Sequence, residues 1–479
     1  MVEILRKSRS GKKSFESKDV ISSLPDDILG RILSFLPTKN AVATTAVSSR
    51  WKNLYKLCTS LDFDDSVSVP VSSRDDLGNA RRDMVSFKRF VKEMLTQFNK
   101  SDITKFRLKC GNDIEYSLLY EWIRAAFLHK VVQLELSIDM PMSCVLQVSQ
   151  LTCQNLVVLN LDCKFILRVP RSVTFPSLKV LFFKEVKFHG NRSIRFIADS
   201  EVFSLDYTDL NGILDGCPLL EELVIDGCDW NGGDLYFSNP LLKRLTLNDG
   251  LTGPIDQLNG SMVHIDLPSL VYFYYSQCLA EWYDFRNMKS LLEAHLVICF
   301  NDDDYEDEQD LCNVILDLIN GVCCCRSLHL SSQCLEALTS GDFEMYMPIF
   351  RNMTRLYLTL SQGVSWCEVL LAFLYKSPCL ESLTLVQGGG GCCSSQLDGN
   401  FLLRAKTVPS CVQSQLKYVY MEYFRGYKEE ISMVKYFLEN AHVLEKMVIQ
   451  WDQLLRKGDF VETIENISEL PKSCLIVFE

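Results

Sequence analysis

The sequence lacks the features that mark a membrane protein or a small secreted domain. Its longest stretch without a charged residue, Met140–Leu161, is broken by Pro141 and by many polar residues, so it does not predict a membrane span. Met1–Ser10 holds no apolar core, and we expect no secretory signal. The 20 cysteines are therefore expected to be thiols in a reducing compartment, the nucleus or the cytoplasm.

Patterns typical of catalytic and metal sites are also absent. The sequence contains no G-x-S-x-G, no H-E-x-x-H and no phosphate-binding Gly-Lys-Ser/Thr. Its six histidines are scattered and no cysteines have C-x-x-C spacing, so we expect neither a metal nor a cofactor. A net charge of −12 argues against nucleic acid or an anionic membrane as a partner. These absences favour a non-catalytic protein.

A chain of 479 residues is too long for one compact domain. Residues 1–17 form a basic, serine-containing tail that we expect to be disordered, either as a flexible leader or as a nuclear-import signal. After a polar stretch, the segment 59–100 contains an amphipathic helix. Its apolar face is predicted to carry Phe87, Phe90, Val91, Met94, Leu95 and Phe98.

Residues 18–58 predict three short helices. Pro25 suits the first helical turn, and Asp26 and Asp27 favour the positive end of the helix dipole. The apolar residues of this first helix recur at helical spacing: Ile28, Leu29, Ile32, Leu33 and Leu36. Thr38 or Asn40 is expected to cap the second helix and Ser48 the third. So small a unit cannot bury all of its large apolar groups, and the surplus must pack on the rest of the chain or on another protein.

This block resembles an F-box motif of the plant type. The matching strings are Leu-Pro-Asp-Asp-Ile-Leu from Leu24, Ile-Leu-Ser-Phe-Leu-Pro-Thr-Lys from Ile32, and Val-Ser-Ser-Arg-Trp-Lys-Asn-Leu from Val47. The resemblance implies docking on a Skp-type adaptor and, through it, on a cullin. The residues that it implies at the adaptor are Leu24, Pro25, Ile28, Leu29, Leu33, Leu36 and Pro37, helped by Val42, Val47, Arg50 and Trp51.

A second pattern, apolar-x-x-apolar-x-apolar, recurs between Val131 and Ile449. Adjacent copies start 21 to 28 residues apart where no insertion intervenes, a period typical of leucine-rich repeats. We therefore predict an α/β fold in which the helical block precedes a solenoid with a parallel strand ladder over 101–400. Cys228, Cys278 and Cys299 each follow the last apolar anchor by three residues and are expected to be structural.

The residues between the anchors should line the concave face of the solenoid. This face is rich in tyrosine and arginine, which suits recognition of a protein substrate. The candidate substrate-binding residues are Phe182, Glu222, Arg244, Tyr272, Tyr274, His295, Arg355, Tyr357, Tyr418 and Tyr420. Asp302–Asp310, with seven acidic residues in nine, is interpreted as a solvated loop or as a contact for a basic substrate.

The segment 401–479 alternates strand, helix and strand and resembles the FBD domain that follows the repeats in plant F-box proteins. The resemblance implies a unit that closes the end of the solenoid. The leading hypothesis is a substrate-recognition subunit of an SCF (Skp–cullin–F-box) ubiquitin ligase. Such a receptor needs no nucleophile, because it acts by raising the local concentration of substrate lysines. The alternatives are a leucine-rich-repeat scaffold without a ligase role and a small-molecule sensor.

Overall fold

The computed structural model describes most of the chain. The described residues are 21–65, 77–98, 102–111, 114–139, 145–147, 153–168, 174–188, 191–198, 201–228, 234–248, 262–276, 280–298, 308–339, 342–360, 366–388, 407–452, 467 and 474–479. The predictions for the basic tail, Cys278, Cys299 and most of the acidic stretch lie outside them. Contacts divide the chain into two units, Met1–Arg107 and Leu108–Glu479.

Short strands separated by helices and turns run through both units. The strands are β1 Ser60–Asp64, β2 Lys105–Cys110, β3 Gln133–Ile138, β4 Val145–Gln147, β5 Val158–Cys163, β6 Ile166–Arg168, β7 Val180–Lys184, β8 Lys187–Phe188, β9 Asn191–Ala198, β10 Glu201–Thr208, β11 Glu222–Asp226, β12 Leu235–Ser238, β13 Arg244–Asn248, β14 Met262–Asp266, β15 Tyr272–Ser276, β16 Trp282–Arg286, β17 Glu293–Leu296, β18 Ser327–Leu330, β19 Arg355–Leu360, β20 Ser382–Gln387, β21 Tyr418–Phe424, β22 Lys446–Trp451 and β23 Leu475–Phe478. The α-helices are Asp26–Leu33, Thr38–Ala43, Leu77–Gln97, Tyr116–Leu128, Asp209–Asp215, Glu308–Gly321, Ser332–Thr339, Trp366–Lys376, Ser410–Ser414 and Lys428–Asn440, and 3-10 helices cover Ile21–Ser23, Thr44–Ala46 and Arg50–Leu57.

The first unit contains the predicted helical block. The first helix is Asp26–Leu33, and Pro25, which was predicted in its first turn, is the residue just before it. The side-chain caps predicted for the second and third helices were wrong. The second helix begins at Thr38 and the third segment at Arg50, and neither start has a side-chain cap. The Thr38 hydroxyl instead accepts a 2.8 Å hydrogen bond from the backbone N–H of Asp62. The side chain is therefore used to hold the first residues of β1 rather than the helix start.

The predicted amphipathic helix is confirmed as Leu77–Gln97. It buries Phe87, Val91, Met94 and Leu95. Phe63 of β1 packs edge-on against Phe90 of this helix, with ring centroids 5.9 Å apart. Aromatic burial of this kind provides the first unit with a small core of its own.

The second unit contains the long parallel ladder that the repeats predicted. From β3 to β23 its neighbours run β3-β5-β7-β11-β13-β15-β17-β18-β19-β20-β21-β22-β23. Leu223 of β11 pairs in register with Leu181 of β7 and Leu245 of β13, and all three are fully buried. Equivalent apolar positions of successive repeats therefore lie next to one another on neighbouring strands and form a stack of buried anchors.

A second layer covers the buried side of this ladder. It contains two short parallel sheets, β4-β6-β8 and β12-β14-β16, and then helices from Glu308 onward. Phe273 of β15 packs against Phe285 of β16 at 6.2 Å between centroids. Further along, Phe350 packs against Phe373 of the helix Trp366–Lys376 at 5.4 Å. The core of the second unit lies between the two layers.

The last part of the second unit has the predicted strand, helix and strand. They are β21, the helix Lys428–Asn440 and β22. In the loop after β21, Arg425 pairs with Asp452, which follows β22. Among the described residues, no helix is both long enough and apolar enough to span a membrane.

Candidate functional site

The first helix of the helical block has two apolar sides. Leu29 and Leu33 are buried within the block, at 0% and 2% exposure. Ile28 and Ile32, each one residue earlier, are 42% and 43% exposed. A residue and its neighbour lie about 100° apart around a helix, so one pair points into the block and the other away from it.

The outward apolar side continues beyond the helix. Phe35 is 88% exposed and Leu36 is also on the surface. Val47, which follows the 3-10 helix Thr44–Ala46, is 69% exposed. Several exposed apolar side chains on one small block are typical of a protein-docking surface. We call Ile28, Ile32, Phe35, Leu36 and Val47 the apolar row.

The structure divides the residues that the sequence assigned to the adaptor. Pro25, Ile28, Leu36, Val47 and Arg50 lie on the surface, Leu24, Pro37, Val42 and Trp51 are half-buried, and Leu29 and Leu33 belong to the core of the block. Ile32 and Phe35 are on the surface although they were not among the assigned residues. Helical periodicity alone gave one broad stripe and could not separate its inward edge from its outward edge.

Arg50 holds the third helical segment against the start of the first. Its Nη2 lies 2.8 Å from Asp26 Oδ1 and also donates to the Leu24 carbonyl oxygen. Gly30 permits the close packing behind this contact, because a Cβ placed on it would lie 2.7 Å from the Leu57 Cβ. These contacts give the apolar row a fixed support.

The second unit presents a different surface. The side chains at the first, third and fifth positions of the ladder strands point to one side of the sheet, which we call the ladder face. They are half-buried or exposed from β3 to β23, except for the buried Ser327, Thr384 and Val448. All ten residues assigned to the concave face lie on it: Phe182, Glu222, Arg244, Tyr272, Tyr274, His295, Arg355, Tyr357, Tyr418 and Tyr420. Arg244 lies over the ring of Tyr272, 4.2 Å from its centroid, so the neighbouring strands β13 and β15 are joined by a cation–π contact.

An aromatic stack occupies the middle of the ladder face. His295 stacks on His329 and His329 stacks on Tyr357, each pair with centroids 3.9 Å apart. The stack follows from register, because the three residues occupy equivalent positions on β17, β18 and β19. Its far end opens into a groove of about 490 Å³. The groove is lined by Thr354, Arg355, Tyr357, Glu381, Ser382, Thr384, Tyr418, Tyr420 and Glu422.

Burial sets the charge states in this part of the face. Desolvation, with the neighbouring charge of His295 as a smaller cause, lowers the pKa of His329 to about 4. Glu293 accepts a 2.7 Å hydrogen bond from His295 Nε2, and this bond holds the pKa of the carboxyl below its usual range. At neutral pH the face therefore carries a neutral imidazole at His329 beside the carboxylate of Glu293.

Sequence reasoning missed several residues of this surface. Ser327 and His329 belong to a rung that was not recognised, because Cys325 replaces leucine as its first anchor. The repeat pattern would have predicted this rung if cysteine, which behaves as a small apolar residue, had been accepted at the first anchor: the rung reads Cys325-x-x-Leu328-x-Leu330. Cys228 has the structural place predicted for it, since it is buried and donates to the Asp226 carbonyl oxygen at 3.5 Å.

Comparison with known proteins matches both ends of the chain. A family model for the F-box domain matches residues 21–58, and one for FBD matches residues 405–449. One F-box/LRR-repeat protein of Arabidopsis thaliana is 30% identical over 475 residues, covering 95% of this chain and 92% of its own length. A second, from the same plant, is 32% identical over 444 residues, covering 91% and 88%. The chain belongs to the F-box/LRR-repeat family of proteins.

Proposed function

We propose that this chain is the substrate-recognition subunit of an SCF ubiquitin ligase. Its F-box block docks on a Skp-type adaptor, and its ladder face binds a protein that is to be ubiquitinated. The chain acts without catalytic residues of its own, in the nucleus or the cytoplasm. The match to the F-box domain and the names of the relatives support this assignment.

The observation that carries the adaptor role is the apolar row. Five large apolar side chains stay exposed on a block of about 40 residues whose own core is already filled by Leu29, Leu33, Ala41 and Leu54. Burying such a surface against a partner stabilises the complex by roughly 25 cal/mol per Å² of apolar area, less the costs of association. We therefore assign adaptor contact to the apolar row and Pro25, and a supporting role to Leu29 and Leu33.

The test is a binding titration of the purified full-length chain against a Skp-type adaptor. The Ile28→Asp/Ile32→Asp variant places two charges in the apolar row without entering the core, and we expect it to weaken binding at least about 100-fold, as loss of interface hot spots does. The matched control is Leu128→Asp, which charges a leucine that is 74% exposed in the second unit. The control should bind like the wild type.

Circular dichroism must show that each protein is folded. Wild type that is folded and does not bind the adaptor would overturn the ligase assignment and leave a leucine-rich-repeat scaffold. Equal binding by wild type and the double-aspartate variant would remove the apolar row from the interface.

A further inference from the structure

A carboxylate and two imidazoles converge on the ladder face. Glu293 and His295 are two residues apart on β17, so they lie on the same side of the strand. His329 is the register partner of His295 on the adjacent strand β18. One ligand atom from each of the three side chains can be chosen so that all lie within 4.8 Å of one another.

We propose that Glu293, His295 and His329 bind one divalent transition-metal ion of the zinc type. Two imidazoles and one carboxylate form a known three-ligand zinc set that keeps a further coordination position open. A tetrahedral ion with bonds of about 2.0–2.2 Å holds its donors roughly 3.4 Å apart, so side-chain movements of about 1 Å would bring these donors to it. This proposal differs from the expectation of no metal, which rested on the scattered histidines: His295 and His329 are 34 positions apart in the chain.

The chemistry of the three side chains favours a cation at this point. Glu293 supplies a carboxyl oxygen, which lies 2.7 Å from His295 Nε2, and the two imidazoles supply nitrogen ligands. Arg355 acts against the ion, since its positive charge is felt by both Glu293 and His329.

The neighbouring residues limit how far these ligands can turn. Ser327 Oγ lies 3.3 Å from His329 Nε2. The ring of His329 stacks on His295 and on Tyr357. Tyr272 and Tyr274 lie beside His295, with centroids 5.5 and 5.7 Å away. Such outer partners fix ring orientation in metal sites. The open position of the ion would offer a bound protein a metal contact in the middle of the ladder face, whether or not the chain docks on an adaptor.

The test uses the full-length chain, freed of metal with a chelator and kept reduced. It is titrated with Co²⁺, followed by visible absorption, and with Zn²⁺, followed by calorimetry. We expect His329→Phe, which keeps a ring in the stack, to weaken the tightest site about 100-fold, because even outer-shell losses cost roughly 10- to 100-fold. Glu293→Gln should weaken it too, while Arg355→Gln should tighten it by removing a competing charge.

His442→Phe is the matched control, since it removes an exposed histidine outside the cluster. It should bind the metal like the wild type. Binding by thiols would show the charge-transfer absorption of cobalt–thiolate bonds and would persist in the His329→Phe variant. Equal affinity of wild type, His329→Phe and Glu293→Gln would overturn the proposal, as would a wild-type spectrum that arises from thiolates alone.

Discussion

Arg425 and Asp452 form an ion pair that is almost fully withdrawn from water. The Arg425 Nε atom lies 2.8 Å from Asp452 Oδ2, and the two side chains are 15% and 8% exposed. The pair ties the end of β21 to the end of β22, and the Asp452 N–H also donates to the Phe424 carbonyl oxygen at 3.1 Å. A buried charge without its partner is costly, so each residue of the pair depends on the other.

Arg425→Met should therefore destabilise this end of the second unit. We expect a loss of about 3–5 kcal/mol in the free energy of unfolding, because Asp452 keeps its burial and loses its counter-charge. Urea unfolding followed by the fluorescence of Trp451, which is next to Asp452, measures it. Lys164→Met is the control, since its 3.6 Å pair with Glu185 is exposed and should contribute at most about 1 kcal/mol. Equal effects of the two substitutions would contradict the prediction.

Glu430 should make stability depend on pH. Burial raises the pKa of its carboxyl from 4.5 to about 7, although it accepts hydrogen bonds from the N–H groups of Arg425 and Tyr427. Between these two pH values the folded state holds a proton that the unfolded state has released, so stability falls as the pH rises through this window.

Glu430→Gln keeps an oxygen acceptor and cannot ionise. The variant should match the wild type near pH 4 and exceed its stability at pH 8 by up to about 3 kcal/mol, because the wild type must ionise a buried carboxyl there. Unfolding curves at several pH values test this expectation. A wild type and a variant with the same pH dependence would show that Glu430 does not titrate in this range.

Gly30→Ala should loosen the helical block without affecting the repeats. The added methyl group would meet the Leu57 Cβ at 2.7 Å and the Leu57 carbonyl oxygen at 3.2 Å. Overpacking of this kind costs about 1–3 kcal/mol. Hydrogen exchange over residues 26–57 should accelerate, while Arg31→Ala, at an exposed position of the same helix, should leave it unchanged. Unchanged protection in Gly30→Ala would mean that the helices move apart easily.

The two sides of the first helix should respond differently to truncation. Leu33→Ala removes buried side-chain volume and should cost about 2–5 kcal/mol. Ile32→Ala, one residue earlier on the exposed side, should change stability by less than about 0.5 kcal/mol. Thermal unfolding of the two variants makes the comparison, and a large loss for Ile32→Ala would show that the apolar row packs on this chain itself.

The sequence predicts the ladder well where its anchors are leucine. Leu156, Leu159 and Leu161, for example, are all buried around β5. The prediction fails at some rungs where an anchor position holds another apolar residue, such as cysteine or phenylalanine, in place of leucine. Cys58, Leu61 and Phe63 have the same spacing around β1 and are buried, but this copy of the pattern was not recognised.

The candidate sites illustrate the same limit. Alternation along a strand correctly places Tyr357 and Tyr420 on the ladder face, because side chains point to opposite sides at successive positions. Which residues of different strands become neighbours is decided by register, and an unrecognised rung removes that information. The sequence therefore did not predict that His295 and His329 are neighbours, although their ring centroids lie 3.9 Å apart.

The spacing of the ladder face does not depend on the length of the segments that connect its strands. Neighbouring strands of a sheet are about 4.8 Å apart whatever the connection. Yet Tyr272 and its partner Glu293 are 21 positions apart in the chain, whereas Ser382 and its partner Tyr418 are 36 apart. Connections can therefore lengthen, shorten or change composition while the ladder face keeps its spacing. A designer could exchange the residues of one rung to alter the surface that the ladder face presents, and could insert a tag or a sensor behind it, as two independent operations.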